Sequence, residues 1–282
     1  MKIIESPREG MQGLSYKISI ENKVQYLNTL LNAGFDTVEI GSMASPKLIP
    51  QMADTLEVIR KLDLTETRSN RMVLAVDKKG ADTLSMIEEV THISYPFSFS
   101  PEFLRINLKS TIGQSIQTAG EILNTCIRLK KAMVLYFSMA FGNPYGDPWS
   151  QDLLEEWIGI FSEMGIETIV LSNVYTEISE AMISETFSSI IPCFQDIEFG
   201  LHLHTSSPKW NELIQAAWSS GCRRFDTVIH GLGGCPMTGR ELLGNLKTEN
   251  LLTFCADQSI STGIDQAMFD KACLQASNLF YH

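Results

Sequence analysis

Short apolar runs of a few residues alternate along the chain with longer stretches in which apolar residues return every three or four positions. The first pattern suits strands buried in a sheet, and the second suits helices with one apolar face. Strands are expected at Lys2–Glu5, Thr37–Gly41, Met72–Val76, His92–Tyr95, Met133–Phe137, Thr168–Ser172, Ile197–His202 and Arg224–Ile229. Helical spacing appears over Ile20–Ala33, where Val24, Leu27, Leu30 and Leu31 share a face, and over Leu153–Met164 and Trp210–Ser219. Three helices are expected to end on glycine just before the next strand, at Asn32-Ala33-Gly34, Glu163-Met164-Gly165 and Ser220-Gly221, because glycine readily takes the left-handed backbone that closes a helix. Eight strands joined by crossovers predict an α/β fold, a (β/α)8 TIM barrel. An open doubly wound sheet is the alternative, but no G-x-G-x-x-G follows an early strand. The tail after Gly239 reads as additional C-terminal helices packed across or beside the barrel. No linker or composition shift interrupts the chain, so residues 1–282 are expected to form a single catalytic barrel domain.

With 282 residues, 44% of them hydrophobic, the chain can bury one large core of the size such barrels have. The net charge of -11 excludes nucleic acid as the expected partner, since no basic surplus is available to neutralise phosphates. Any anionic substrate must be caught by a local cluster. No stretch approaches the roughly 18 to 20 apolar residues of a membrane span, and the N-terminus has no apolar run of signal-peptide length, so a cytoplasmic protein with no membrane partner is expected. The six cysteines show no paired spacing, which suits a reducing compartment. Cys126, Cys193, Cys222, Cys255 and Cys273 are expected to be small buried hydrophobes, and only Cys235 has unusual neighbours.

In a (β/α)8 barrel the chemistry gathers at the C-terminal ends of the strands. The first strand runs into Ser6-Pro7-Arg8-Glu9-Gly10-Met11-Gln12, which sets a cation beside a carboxylate at the mouth. The second carries a lone acid, Glu39, in apolar company. The seventh ends in His202-Leu203-His204, and residues two apart on a strand point to the same face. If that face is the interior, the two imidazoles converge on one ion; otherwise they are a packed or solvent-facing pair. Gly231-Leu232-Gly233-Gly234-Cys235-Pro236 reads as a pliant loop whose thiol can swing over the mouth as a lid, or as an ordinary connection carrying an incidental cysteine. Asn245 offers an amide oxygen as a further neutral ligand, or merely sits beside a helix start at which Thr248 is a plausible N-cap.

These segments resemble those of the 3-hydroxy-3-methylglutaryl-CoA lyase family, within a wider group of metal-dependent TIM-barrel lyases, and the resemblance spans nearly the whole chain. Pro7-Arg8-Glu9-Gly10-Met11-Gln12 matches the family's P-R-D-G-L-Q, and Ser45-Pro46-Lys47-Leu48-Ile49-Pro50-Gln51-Met52-Ala53-Asp54 matches its S-P-K-x-x-P-Q-M-A-D. Gly142-Asn143-Pro144-Tyr145-Gly146, His202-x-His204, Gly231 to Pro236 and Gly244-Asn245-Leu246-x-Thr248-Glu249 add to it. The resemblance implies cleavage of 3-hydroxy-3-methylglutaryl-CoA to acetoacetate and acetyl-CoA. It implies a divalent cation, Mg2+ or Mn2+ with Zn2+ as an option, held by Glu9, His202, His204 and Asn245. Arg8 would stabilise the thioester enolate, and Glu39 with Cys235 would assist proton transfer. A small acyl-CoA substrate is the implied partner, and a homodimer is the implied assembly.

The chemistry asks for these residue types, because a retro-aldol step needs a base for the tertiary hydroxyl and a positive group for the oxyanion developing on the other fragment. Three positions depart from the family. Glu9 stands where Asp is expected, and its extra methylene carries the carboxylate about 1.5 Å further. Asn173, in Leu171-Ser172-Asn173-Val174-Tyr175-Thr176, replaces the acid of G-D-T-I-G. Thr205 replaces the acid of H-x-H-D-T. The site thereby loses two negative charges, which leaves the acyl group open. An aldolase or condensing synthase of the same barrel group, a weakened paralogue and a non-catalytic metal-stabilised scaffold are the competing readings.

Overall fold

Parallel pairing joins eight strands in chain order: β1 (Lys2–Glu5), β2 (Thr37–Ser42), β3 (Asn70–Leu74), β4 (His92–Phe97), β5 (Ala132–Ser138), β6 (Thr168–Asn173), β7 (Glu198–Leu203) and β8 (Arg224–Thr227). β1 pairs with β8 as well as with β2, which closes the barrel. The computed structural model describes residues 1–174, 178–205, 208–233 and 244–281. Its α-helices are α1 (Pro7–Gln12), α2 (Ile20–Asn32), α3 (Thr55–Arg60), α4 (Lys78–Ser85), α5 (Pro101–Phe103), α6 (Ile112–Arg128), α7 (Gln151–Glu163), α8 (Glu180–Cys193), α9 (Trp210–Ser219), α10 (Thr248–Asp257) and α11 (Gln266–Phe280). The barrel expected from the apolar pattern is therefore present, with α10 and α11 following the last strand among the described residues. No helix among the described residues is long and apolar enough to cross a membrane.

Period-two alternation divides each strand between two cores. Ile4, Met72, Val134 and Val170 meet inside the barrel, while residues such as Ile3, Val38, Leu135, Ile169, Leu201 and Phe225 pack outward into the layer beneath the helices. Gly200 on β7 faces inward opposite Arg224 on β8, and a Cβ there would lie 2.9 Å from Arg224 Cδ. The missing side chain is the space that the arginine stem fills. Helices begin where short polar side chains accept free backbone N–H groups, as at Ser19, Asp77, Ser150 and Ser179, and Thr111 with Gln114 forms a capping box. The three glycine stops hold, with Gly34, Gly165 and Gly221 at φ 92°, 88° and 100°.

Some boundaries move. β3 starts two residues before its expected first residue, Met72, because the ladder already pairs Thr37 with Asn70 at the barrel rim, where polar side chains reach water. β8 stops at Thr227, short of the expected Ile229, since the chain turns through Ile229–Gly231 with His230 at φ 64°. Thr248 is not the cap of α10: Lys247 occupies that position, and the buried Thr248 hydroxyl donates to Glu5 Oε2 at 2.6 Å. Cys126, Cys222 and Cys255 are buried as expected, but Cys193, the last residue of α8, is exposed, and Cys273 packs half-buried against the edge of the core. α11 lies on α2, with edge-on ring contacts Tyr26–Phe280 at 5.9 Å and Phe35–Phe269 at 6.4 Å.

Candidate active site

Arg8 and Glu9 reach the barrel mouth on α1, a six-residue helix opened by Pro7. The sequence placed them at the mouth but not on a helix, since a single turn is too short to show a period. Both are buried, and so is Glu39, which faces inward from β2. The Arg8 guanidinium bridges the two acids: one nitrogen lies 2.8 Å from Glu9 Oε1 and donates to Gln12 Oε1 at 2.9 Å, and the other lies 2.9 Å from Glu39 Oε2. Gln12 returns a bond from Nε2 to Glu9 Oε2 at 2.8 Å. Burial works against the charge on Arg8, but Glu39 and Glu9 outweigh it and hold the guanidinium above its ordinary value. Burial also raises Glu9, yet Arg8 and the two imidazoles of β7 prevail, and its carboxyl lies below the usual range. For Glu39 burial wins over Arg8, and its carboxyl is raised. One acid is thus kept ionised while its neighbour is pushed toward holding a proton, a separation that suits acid–base work.

His202 closes β7 on the inward face, and His204 lies one residue beyond the strand on the same face, with ring centroids 4.7 Å apart. Each ring is held through Nδ1. His202 Nδ1 lies 3.1 Å from Asp226 Oδ2, the same oxygen that accepts the Tyr136 hydroxyl at 2.6 Å. His204 Nδ1 lies 3.1 Å from the Gly244 carbonyl. Carboxylate and carbonyl both accept, so the ring proton belongs on Nδ1 and the lone pair on Nε2, the state a metal-binding imidazole needs. Burial opposes charge on His202, but Asp226 raises it above the ordinary histidine value. Burial pushes His204 down to about 4, which keeps that ring neutral.

Asn245 is buried; its Nδ2 donates to the Leu232 carbonyl at 2.7 Å, and its Oδ1 has no hydrogen-bond partner. A buried amide oxygen without a donor is costly. An ion beside Gly244 and His204 would satisfy it. Two imidazole Nε2 atoms and this oxygen form a donor set that fits a divalent cation. Glu9 lines the same cavity as the two imidazoles, and its carboxylate is also engaged by Arg8 and Gln12. Among the described residues no three His, Cys, Asp or Glu side chains converge as a ready-made cage. Oε1 of Glu9 faces Arg8 and Oε2 accepts from Gln12, and each oxygen keeps a second lone pair that a cation could use. Cys235 lies outside the described residues.

The glycines that lead to Cys235 do more than loosen the chain. Gly231 and Gly233 sit at φ 67° and 87°, and a Cβ on Gly233 would be 2.1 Å from the Glu9 carbonyl oxygen. The root of this loop is laid directly against the backbone of α1. His230, with Nδ1 2.8 Å from Glu249 Oε1 and Nε2 3.0 Å from the Ser277 hydroxyl, ties it to α10 and α11.

Arg8, Glu9, Glu39, His202 and His204 line one cavity of about 590 Å³, which Leu74 and Phe103 also line. It is large enough for an acyl chain and part of the arm that carries it. Asp226, Tyr136 and Gln12 were not among the expected site residues. Arg224 and Asp226, charged residues two apart on a short strand, signalled an inward polar face on β8, and Tyr136 interrupts an apolar run on β5.

A family model described as HMGL-like matches residues 1–273. The chain is 26% identical over 272 residues to (R)-citramalyl-CoA lyase of Chloroflexus aurantiacus, covering 92% of this chain and 84% of that protein. It is 27% identical over 268 residues to the human mitochondrial hydroxymethylglutaryl-CoA lyase, covering 94% and 81%. The solved structure of an HMG-CoA lyase from Acinetobacter baumannii, in complex with coenzyme A and 3-methylmalate, resembles this one with a TM-score of 0.90 at 26% identity, over 100% of this chain and 91% of that one. These likenesses agree with the resemblance carried by the motifs.

Proposed function

We propose, from the premise that the chain belongs to the HMGL-like family of acyl-CoA lyases, that it is a divalent-cation-dependent carbon–carbon lyase acting on 3-hydroxy-3-methylglutaryl-CoA or a close 3-hydroxyacyl-CoA. One observation carries the reading: Arg8, Glu39 and the paired imidazoles of His202 and His204 line a single cavity at the C-terminal mouth of the barrel. His202, His204 and Asn245 would hold the cation, with Glu9 as the anionic ligand, and Mg2+ or Mn2+ suits this set while Zn2+ is also compatible with it. When bound, the ion lowers the pKa of the substrate hydroxyl and orients it.

The remaining work falls to the chain's own residues. As the hydroxyl proton leaves, its oxygen closes onto C3 as a carbonyl, the C2–C3 bond breaks, and its electron pair becomes the enolate of the departing thioester. Arg8, fixed by Glu9, Gln12 and Glu39, aims positive charge at that developing oxyanion, a contribution on the order of 3 kcal/mol. Glu39, a buried carboxyl on the cavity wall raised by burial, is suited to take the hydroxyl proton as a carboxylate and then hand it to C2, so that no net proton is gained or lost. The motif resemblance gives Cys235 a share in this transfer. The products are acetoacetate and acetyl-CoA for the methylglutaryl substrate. The reading takes the whole chain as one catalytic unit, acting in the cytoplasm, with a dimer as the assembly implied by the family motifs.

The test is release of acetyl-CoA from 3-hydroxy-3-methylglutaryl-CoA and from citramalyl-CoA, with Mg2+, Mn2+ or Zn2+ added to chelator-treated protein. Cleavage of at least one thioester, dependent on added metal and lost in His204→Ala, is expected. Turnover that survives both chelation and His204→Ala would overturn the cation-dependent reading. Consumption of acetyl-CoA with a 2-oxo acid would favour a synthase.

A further inference from the structure

β6 and β7 stop pairing at Asn173 and Leu203, so the backbone of His204 lies just beyond the ladder. A single side chain takes over there. Asn173 Nδ2 donates to the His204 carbonyl at 2.8 Å, and the His204 N–H donates to Asn173 Oδ1 at 2.9 Å. Both bonds are buried, and Asn173 has no exposed surface. An amide presents a donor and an acceptor side by side as a peptide group does, so Asn173 adds one reciprocal rung to a sheet that has otherwise ended. On the other side the Leu246 N–H donates to the Leu203 carbonyl at 2.9 Å, and Gly244 receives the imidazole proton of His204.

Alternation along β6 puts Ser172 and Val174 on the cavity wall and Asn173 on the opposite face, with Ile169 and Leu171 in the outer layer. Asn173 reaches His204 from behind and does not line the cavity. We propose that Asn173 is a positioning residue: its amide clamps the backbone of His204 and thereby sets the imidazole whose Nε2 faces the cation site. The inference rests on the functional reading above and adds a device to it. Where the family motif carries an acid, this chain gives up a negative charge near the cation and gains a rigid ligand in its place. A carboxylate cannot make the same contact, because it accepts from the His204 N–H but has no donor for the His204 carbonyl.

The sign of one measurement separates the clamp from simple electrostatics. Asn173→Asp restores the acid of the family motif; by charge alone it tightens cation binding, whereas by loss of the clamp it weakens it. Mn2+ affinity of the full chain, read by calorimetry, is expected to fall about tenfold or more in both Asn173→Asp and Asn173→Ala, the size typical of lost outer-shell support. In metal-free protein with 15N-labelled histidine, the His204 ring is expected to change from a single Nδ1–H tautomer to a mixture, while His202, held by Asp226, keeps its signal. Asn173→Ser, which retains one hydrogen-bonding group, is read the same two ways in case the aspartate variant does not fold. Unchanged or tighter Mn2+ binding in Asn173→Asp, or an unaltered His204 signal in the variants, overturns the clamp. Wild-type protein that binds no Mn2+ overturns the functional reading instead, and the metal-free histidine spectra still judge Asn173.

Discussion

Replacing Glu5 by glutamine should remove a pH dependence of stability that the native chain carries, and should leave the variant more stable above pH 8. Glu5 has no exposed surface and faces outward from β1, away from the cavity. Its Oε1 accepts the Ile229 N–H at 2.9 Å, and Oε2 accepts the Thr248 hydroxyl at 2.6 Å with Thr227 at 3.3 Å. Burial pushes its carboxyl up to about 8 from an ordinary 4.5; the bonds from Thr248 and Ile229 oppose this, and Glu249 adds to it. Between those two values the folded chain keeps a proton that the unfolded chain has released, so stability falls as pH rises, at 1.36 kcal/mol per pH unit, and is level outside the window. The whole fall is ~5 kcal/mol, a large share of the usual stability of a domain.

Glutamine keeps the shape, its oxygen can accept the Ile229 N–H, and its amide can donate to a threonine oxygen. Urea denaturation of both proteins from pH 5 to 9 gives a difference curve in which all other groups cancel. That difference should climb in favour of the variant up to about pH 8 and then flatten. A difference curve level across the whole range would show that the buried carboxyl does not hold its proton, and the argument from desolvation would fail.

Arg8→Lys should lower kcat by about 10²–10³ with little change in thermal stability, because a point charge cannot serve the two acids and the oxyanion as a planar fork does; near-normal turnover in a steady-state assay would refute the role of Arg8. Gly233→Ala should force the loop root off the Glu9 backbone, as its Cβ would lie 2.1 Å from a carbonyl oxygen at a φ of 87°. Its left-handed strain alone is ~1–2 kcal/mol, and a melting curve matching the wild type would show that this contact is not made in solution. Gly200→Ala presses on the flexible stem of Arg224 at 2.9 Å, so an overpacking cost of ~1–3 kcal/mol is expected in thermal melts, and a stabilised variant would contradict the packing described.

Much of the site was legible because its residues cluster in local motifs. Arg8 and Glu9 adjoin a strand end, and period-two geometry puts His202 and His204 on one face before any coordinates exist, while leaving open which face that is. The partners that tune them were less visible. Asp226 meets His202 across 24 residues, Asn173 meets His204 across 31, and Gln12 acquires its role only because α1 winds Glu9 against it. The longer arm of Glu9 lines the cavity, and its contacts with Arg8 and Gln12 could not be read from the motif alone. The glycines before Cys235, read as flexibility, are at Gly231 and Gly233 also a requirement of close approach. Nothing local in the chain says which backbone will pass beside a glycine.

The apolar period and the glycine stops alone determined the eight strands and their crossovers, since a strand buried on both faces and a one-faced helix leave different repeats in any sequence. Closure of the barrel decided the rest: which acid is kept charged by Arg8, which is driven toward its proton by burial, and which nitrogen each imidazole turns to the cavity. Those properties depend on desolvation and on groups far apart in the chain, and both come into being only when β1 meets β8.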